Sequence, residues 1–120
     1  MSTEARLRYP FTLLGVPPEA ASSDLLARQV GRQQAAWLLL SSEWVSADEA
    51  LRIGLVWKLC EPDELLPTAQ AHAQLLAGHS PSGVMAVKRA MNAPRIEPTA
   101  AAQAVEMSLY HELFGGPDTA

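Results

Sequence analysis

Few side chains here combine a reactive type with a chemically useful setting, and Glu19 is foremost among them. It lies in "VPPEAASS", Val16 to Ser23, directly after two prolines. Leu13, Leu14 and Val16 precede it, and Ala20 and Ala21 follow. A carboxylate among apolar neighbours loses solvation and becomes a stronger base, which suits proton abstraction. An acid after a proline at the start of a helix is also favoured by the helix macrodipole alone. These residues by themselves leave both readings open. Ser22 and Ser23 have no histidine in a nearby motif, so helix capping explains them better than a nucleophile does.

The other reactive side chains point to structural roles. His72 falls on an apolar helical stripe and reads as a core or helix-edge histidine. His79 follows the end of the same helix, where a cation suits the dipole. His111 stands between Tyr110 and Glu112 with no second ligand at metal spacing, so no metal is assigned. Cys60 is alone, which leaves neither a disulfide framework nor a thiolate zinc site and fits a reducing compartment. Trp37, Trp44 and Trp57 read as core or interface aromatics.

The elements that position these residues follow from pattern and punctuation. "ARLRY", residues 5–9, alternates and predicts a strand that Pro10 cuts short. "FTLLGVPP" reads as a turn-rich approach. A first helix begins between Pro18 and Ser23 and ends at Gly31. "RQQAAWLLLS" predicts a second helix, apolar on nearly every face and therefore buried all round. "SADEALRIG" predicts a third, with Ser46 and Glu49 as a capping box and Gly54 just past its end. "LVWKLC", residues 55–60, predicts a short strand between Gly54 and Pro62. Residues 63–78 predict a helix whose stripe is Leu65, Ala69, His72 and Leu76. Ser80 and Pro81 then open a helix that buries Val84, Val87 and Met91. "NAPRIEP" reads as a loop. Pro98 opens a last helix to about Phe114, which "GGP" stops. That helix carries one face of Ala102, Val105 and Leu109 and another of Met107, Tyr110 and Phe114.

Composition limits the partners. The 120 residues favour one domain or less. At 48% hydrophobic and 18% charged, the chain has material for a core and is not of disordered type. A net charge of −4 without a basic block argues against nucleic acid or an anionic membrane as partner. The N-terminal ten residues lack the apolar core of a signal peptide, and the longest apolar run, Ala35 to Leu40, is too short to span a bilayer. A soluble cytoplasmic protein is expected. A chain this short buries only part of its apolar surface, so some faces are expected to meet another chain or further fold.

Taken in order, "LG" at Leu14-Gly15, "PE" at Pro18-Glu19, "LLARQVG" ending at Gly31, "SADEALRIGLV" at 46–56, "EPDELL" at 61–66 and "SP…VKRAM" at 80–91 resemble the C-terminal half of the crotonase superfamily, the enoyl-CoA hydratases and isomerases. The resemblance implies an α/β fold present only in part. Residues 1–63 would be the last turn of a crotonase-type spiral core. Residues 64–120 would be a helical oligomerisation region, so that this chain is mostly α-helical. A family member is about twice as long, and its N-terminal half carries the glycine-containing segments that form an oxyanion hole. Nothing in this sequence matches those segments. A truncated or internal-to-C-terminal piece is therefore expected.

The resemblance also implies chemistry and partners. The substrate would be an acyl-CoA thioester, with coenzyme A as part of the substrate and no separate cofactor. Polarisation of the thioester carbonyl makes its α-proton removable. A family hydratase uses two acids, and the position after Pro10 that would bear the second holds Phe11. Pro18-Glu19 matches the turn that supplies the base in isomerase members, which makes Glu19 the expected catalytic residue. Pro10, Phe11 and Pro18 are expected to border the substrate. The glycines that often follow the family's acid are replaced by Ala20 and Ala21, which crowds the acyl channel. Lys88, with Arg89, is a candidate for CoA phosphates across a subunit boundary, against the plain reading of a solvated helix edge. Trimer-type contacts or a missing N-terminal half are the expected protein partners. Beside the enzyme stand two other readings. One is a catalytically silent remnant serving as an oligomerisation or partner-binding module. The other is a subunit completed by a separately encoded N-terminal half.

Overall fold

The computed structural model describes residues 1–115. Its first half is a small packed unit. β1 (Arg6–Leu7) pairs antiparallel with β2 (Val45–Ser46), with Leu7 opposite Val45. Between these strands lie α1 (Phe11–Leu14), α2 (Ser22–Val30) and α3 (Arg32–Ser41), and α4 (Ala47–Arg52) follows β2 directly. Gly31 alone separates α2 from α3 at φ 83°, a backbone state open to glycine and costly for other residues. The sharp reversal folds α2 back on α3 and brings Leu26, Ala35, Leu38, Val45 and Ala50 into one buried cluster. Ser42 closes the unit. It is buried, and its hydroxyl bonds Thr12 Oγ1 at 2.7 Å and accepts from the Leu13 amide at 3.2 Å, tying α1 to the end of α3.

Several expectations change here. The "FTLL" stretch is the short helix α1 rather than open turn, and Gly15 ends it at φ 67°. α3 is not buried all round: Leu38 is 4% exposed and Leu40 is 69% exposed. Its apolar residues outnumber the positions that face α2, so the surplus stays outside. Trp37, Trp44 and Trp57 are also exposed, and Trp44 lies under the Arg6 guanidinium, 4.1 Å from its ring centre. Residues 55–60 do not form a strand. The Leu55 and Val56 amides both turn back to the Ala50 carbonyl, and only Cys60 makes a bridge, parallel to Ser2. Without a longer neighbouring strand among the described residues, β-favouring residues have no ladder to join.

The second half is an extended helical arm. A 3₁₀ turn at Pro62–Glu64 leads into α5 (Leu65–Ala77), then α6 (Pro81–Asn92), a second 3₁₀ turn at Ala93–Arg95, and α7 (Ile96–Phe114). The supposed loop "NAPRIEP" is thus largely helical. Pro98 sits in the first turn of α7, where its missing N–H has no intrahelical partner to lose. Ser80 caps α6 as expected, its side chain accepting from the Gly83 amide. α5 and α6 bury no residue: Leu65 and Leu76 are exposed, as are Val87 and Met91 of the face expected to be buried. Gly115 ends α7, while Gly116 and Pro117 of the expected stop lie outside the described residues. The molecule measures 55 × 35 × 25 Å. No helix among the described residues is long and apolar enough to cross a membrane.

Candidate functional site

An open cavity of about 610 Å³ lies where α7 returns to the first half. One wall is the end of β1 and the start of α1, with Arg8, Tyr9, Pro10 and Phe11. A second is the turn from Val16 to Ala20, which includes Pro17, Pro18 and Glu19. α7 supplies the third through Gln103, Glu106, Met107 and Tyr110. Four residues singled out in the sequence, Pro10, Phe11, Pro18 and Glu19, therefore meet at one cavity. Lys88 does not line it and stands exposed on α6. Burial pushes the Tyr9 phenol above its ordinary value of 10.0.

Local backbone determines how Glu19 is presented. α2 begins at Ser22, so Glu19 is not in its first turn and the macrodipole explanation weakens. Instead Glu19 occupies the preceding turn, and its carbonyl accepts from the Ser22 amide at 3.0 Å. The expected desolvation by its neighbours is not supplied by this chain, because Glu19 is exposed at the rim. Ala20 and Ala21 both adopt left-handed backbone, φ 56° and 58°. For L-residues with a Cβ, that conformation costs roughly 1 kcal/mol each.

Ser22 and Ser23 do not cap α2, contrary to expectation. The N-cap is Ala21, which has no side-chain acceptor. The acceptor comes from Glu106 on α7. Its Oε2 accepts from the Ala21 amide at 2.7 Å, and its Oε1 accepts from the Ser23 amide at 2.9 Å and the Ser23 hydroxyl at 2.6 Å. Glu106 is 4% exposed. It is the one buried residue of α7, where apolar side chains were expected. The signal was present in the sequence: Glu106 interrupts the apolar row of Ala102, Leu109 and Leu113 at helical spacing. An acid within such a row implies a buried partner.

The histidines stay apart from this cavity. His72 Nδ1 lies 2.7 Å from the Thr68 carbonyl of its own helix, and its ring meets Trp57 edge-on at 5.1 Å. His111 stacks edge-on with Tyr110. No three His, Cys, Asp or Glu residues converge as a metal site among the described residues.

The enoyl-CoA hydratase/isomerase profile matches residues 1–119. The chain belongs to this family. Over 117 residues it is 36% identical to the short-chain-enoyl-CoA hydratase of Clostridium acetobutylicum, covering 98% of this chain and 45% of that relative. It is 33% identical over 114 residues to the 2,3-dehydroadipyl-CoA hydratase of Escherichia coli K12, covering 95% of this chain and 45% of that relative. The crystal structure of an enoyl-CoA hydratase/isomerase from Pseudoalteromonas atlantica T6c superposes with a TM-score of 0.91 at 35% identity, covering 97% of this chain and 47% of that one. The chain thus spans about half the length of the relatives it matches, and it has the crotonase-type fold over that span.

Proposed function

We propose that this chain carries the base-bearing wall of an enoyl-CoA isomerase site, with Glu19 as the base. The observation that supports this most is the composition of the cavity's first two walls: Glu19 is the carboxylate there, and Phe11 occupies the position after Pro10. Phenylalanine cannot exchange a proton, so a two-acid addition of water lacks its second acid. One carboxylate suffices to shift a double bond. Glu19 removes a proton from C2 of a 3-enoyl thioester, the electron pair delocalises onto the thioester oxygen, and the proton returns at C4 to give the 2-enoyl product. Two N–H donors must hold the developing oxyanion. In this reading they come from an N-terminal half of the kind that the longer relatives possess. That half would also close over the rim and desolvate Glu19. Lys88 would offer a cation to CoA phosphates from a neighbouring subunit.

A second reading, a silent oligomerisation or partner-binding module, draws on the apolar residues left exposed along α5, α6 and α7, among them Leu66, Leu75, Met85, Val105 and Leu113. Such a surface favours association. Paired assays separate the two readings. The purified chain, alone and with a supplied family N-terminal half, is given 3-enoyl-CoA and 2-enoyl-CoA while its size is measured. The enzyme reading expects isomerisation to exceed hydration once the half is present. Stable association with neither activity would establish the module instead.

A further inference from the structure

We propose that Glu106 is a positioning residue for Glu19: its carboxylate, planted on α7, clamps the turn that presents the base. The inference rests on the reading of Glu19 given above. Two successive alanines hold left-handed backbone directly after Glu19, and nothing in their side chains favours that state. Free of restraint, such a turn relaxes toward ordinary backbone and carries Glu19 with it. Both oxygens of Glu106 are engaged by the far side of the turn, through the Ala21 amide and the amide and hydroxyl of Ser23. α2 has no cap of its own, so these bonds satisfy amides that would otherwise be orphaned at its start. A buried carboxylate with three donors is held strongly, and its negative charge complements the N-terminal end of α2. The clamp reaches across 85 residues of sequence from Ala21. Docking of α7 therefore decides whether the base is in place.

Amide hydrogen exchange on the full 120-residue chain tests the clamp without requiring activity. In Glu106→Gln, exchange at Ala21 and Ser23 is expected to rise about tenfold more than at Leu38, whose helix interior reports global opening. Ser23→Ala, which keeps the carboxylate and both amide bonds, is expected to raise the same two sites about threefold and serves if Glu106→Gln does not fold. In the assembly that isomerises 3-enoyl-CoA, Glu106→Gln is expected to lower kcat with KM nearly unchanged. An equal rise in exchange at Ala21, Ser23 and Leu38 would overturn the clamp and leave Glu19 standing. Full activity of Glu19→Gln, with the local exchange effect intact, would remove the base and leave the clamp.

Discussion

At Ala20 and Ala21 the chain places two methyl-bearing residues in backbone that glycine adopts freely. Ala20 is exposed, so its methyl contributes little packing in return. Ala20→Gly is therefore expected to stabilise the chain slightly, by up to roughly 0.6 kcal/mol, the relief of left-handed strain less the added entropy of the unfolded chain. Chemical denaturation checks this, and a loss of stability would show that the alanine conformation carries no strain. In the proposed reading, strain beside Glu19 would have a plain use, since it narrows the positions available to that side chain once Glu106 holds the far end. The proline pair and the lone acid of "VPPEAASS" were legible as a candidate site, and the structure places Pro18 and Glu19 at one cavity with Pro10 and Phe11. The left-handed backbone at Ala20 and Ala21 was not read from the sequence, because alanine does not announce it. Glu106 was visible as an acid within an apolar row, but its partners lie across the fold, where spacing along one helix carries no information.

At the level of elements, punctuation was read more reliably than burial. Gly31, Ser46, Gly54, Ser80 and Pro81 each mark a boundary that the structure shares, because caps and turns are settled by residues close in sequence. The Ser46 hydroxyl accepts from the Glu49 amide at 3.2 Å, one half of the expected box. The other half is replaced: Glu49 turns to Arg52, with contacts of 2.6 and 2.7 Å. Ser46→Ala is expected to cost about 1 kcal/mol, read from the thermal or denaturant midpoint. The hydrogen bond from Arg52 holds the Glu49 carboxyl below its ordinary value of 4.5. A folded-state value below the unfolded one contributes stability that is present above 4.5 and lost as pH falls through the folded value. The stability difference between the wild type and Glu49→Gln is thus expected at neutral pH and expected to vanish in acid. It is small, since both partners face solvent. The strand expected at residues 55–60 and the buried face expected on α6 are not realised, for one shared reason. Alternation and periodicity report a tendency to be covered, and the covering surface is not among the described residues.

At the scale of the whole molecule, the apolar residues left exposed along α5, α6 and α7 stand out. The chain spans about half the length of the relatives it matches, and its surplus apolar faces would suit a larger assembly, as would Glu19 in the proposed role of base. The fold is sufficient to bring Pro10, Phe11, Pro18 and Glu19 to one cavity and to seat α7 against them through Glu106. What it would contribute to catalysis is a single, positioned carboxylate. The most direct test is conversion of a 3-enoyl-CoA to its 2-enoyl isomer by this chain joined with a family N-terminal half, wild type against Glu19→Gln. Loss of about 10²–10⁴-fold in rate, with hydration of 2-enoyl-CoA staying below isomerisation in the wild type, is the expected result for a general base. Isomerisation undiminished in Glu19→Gln would contradict it.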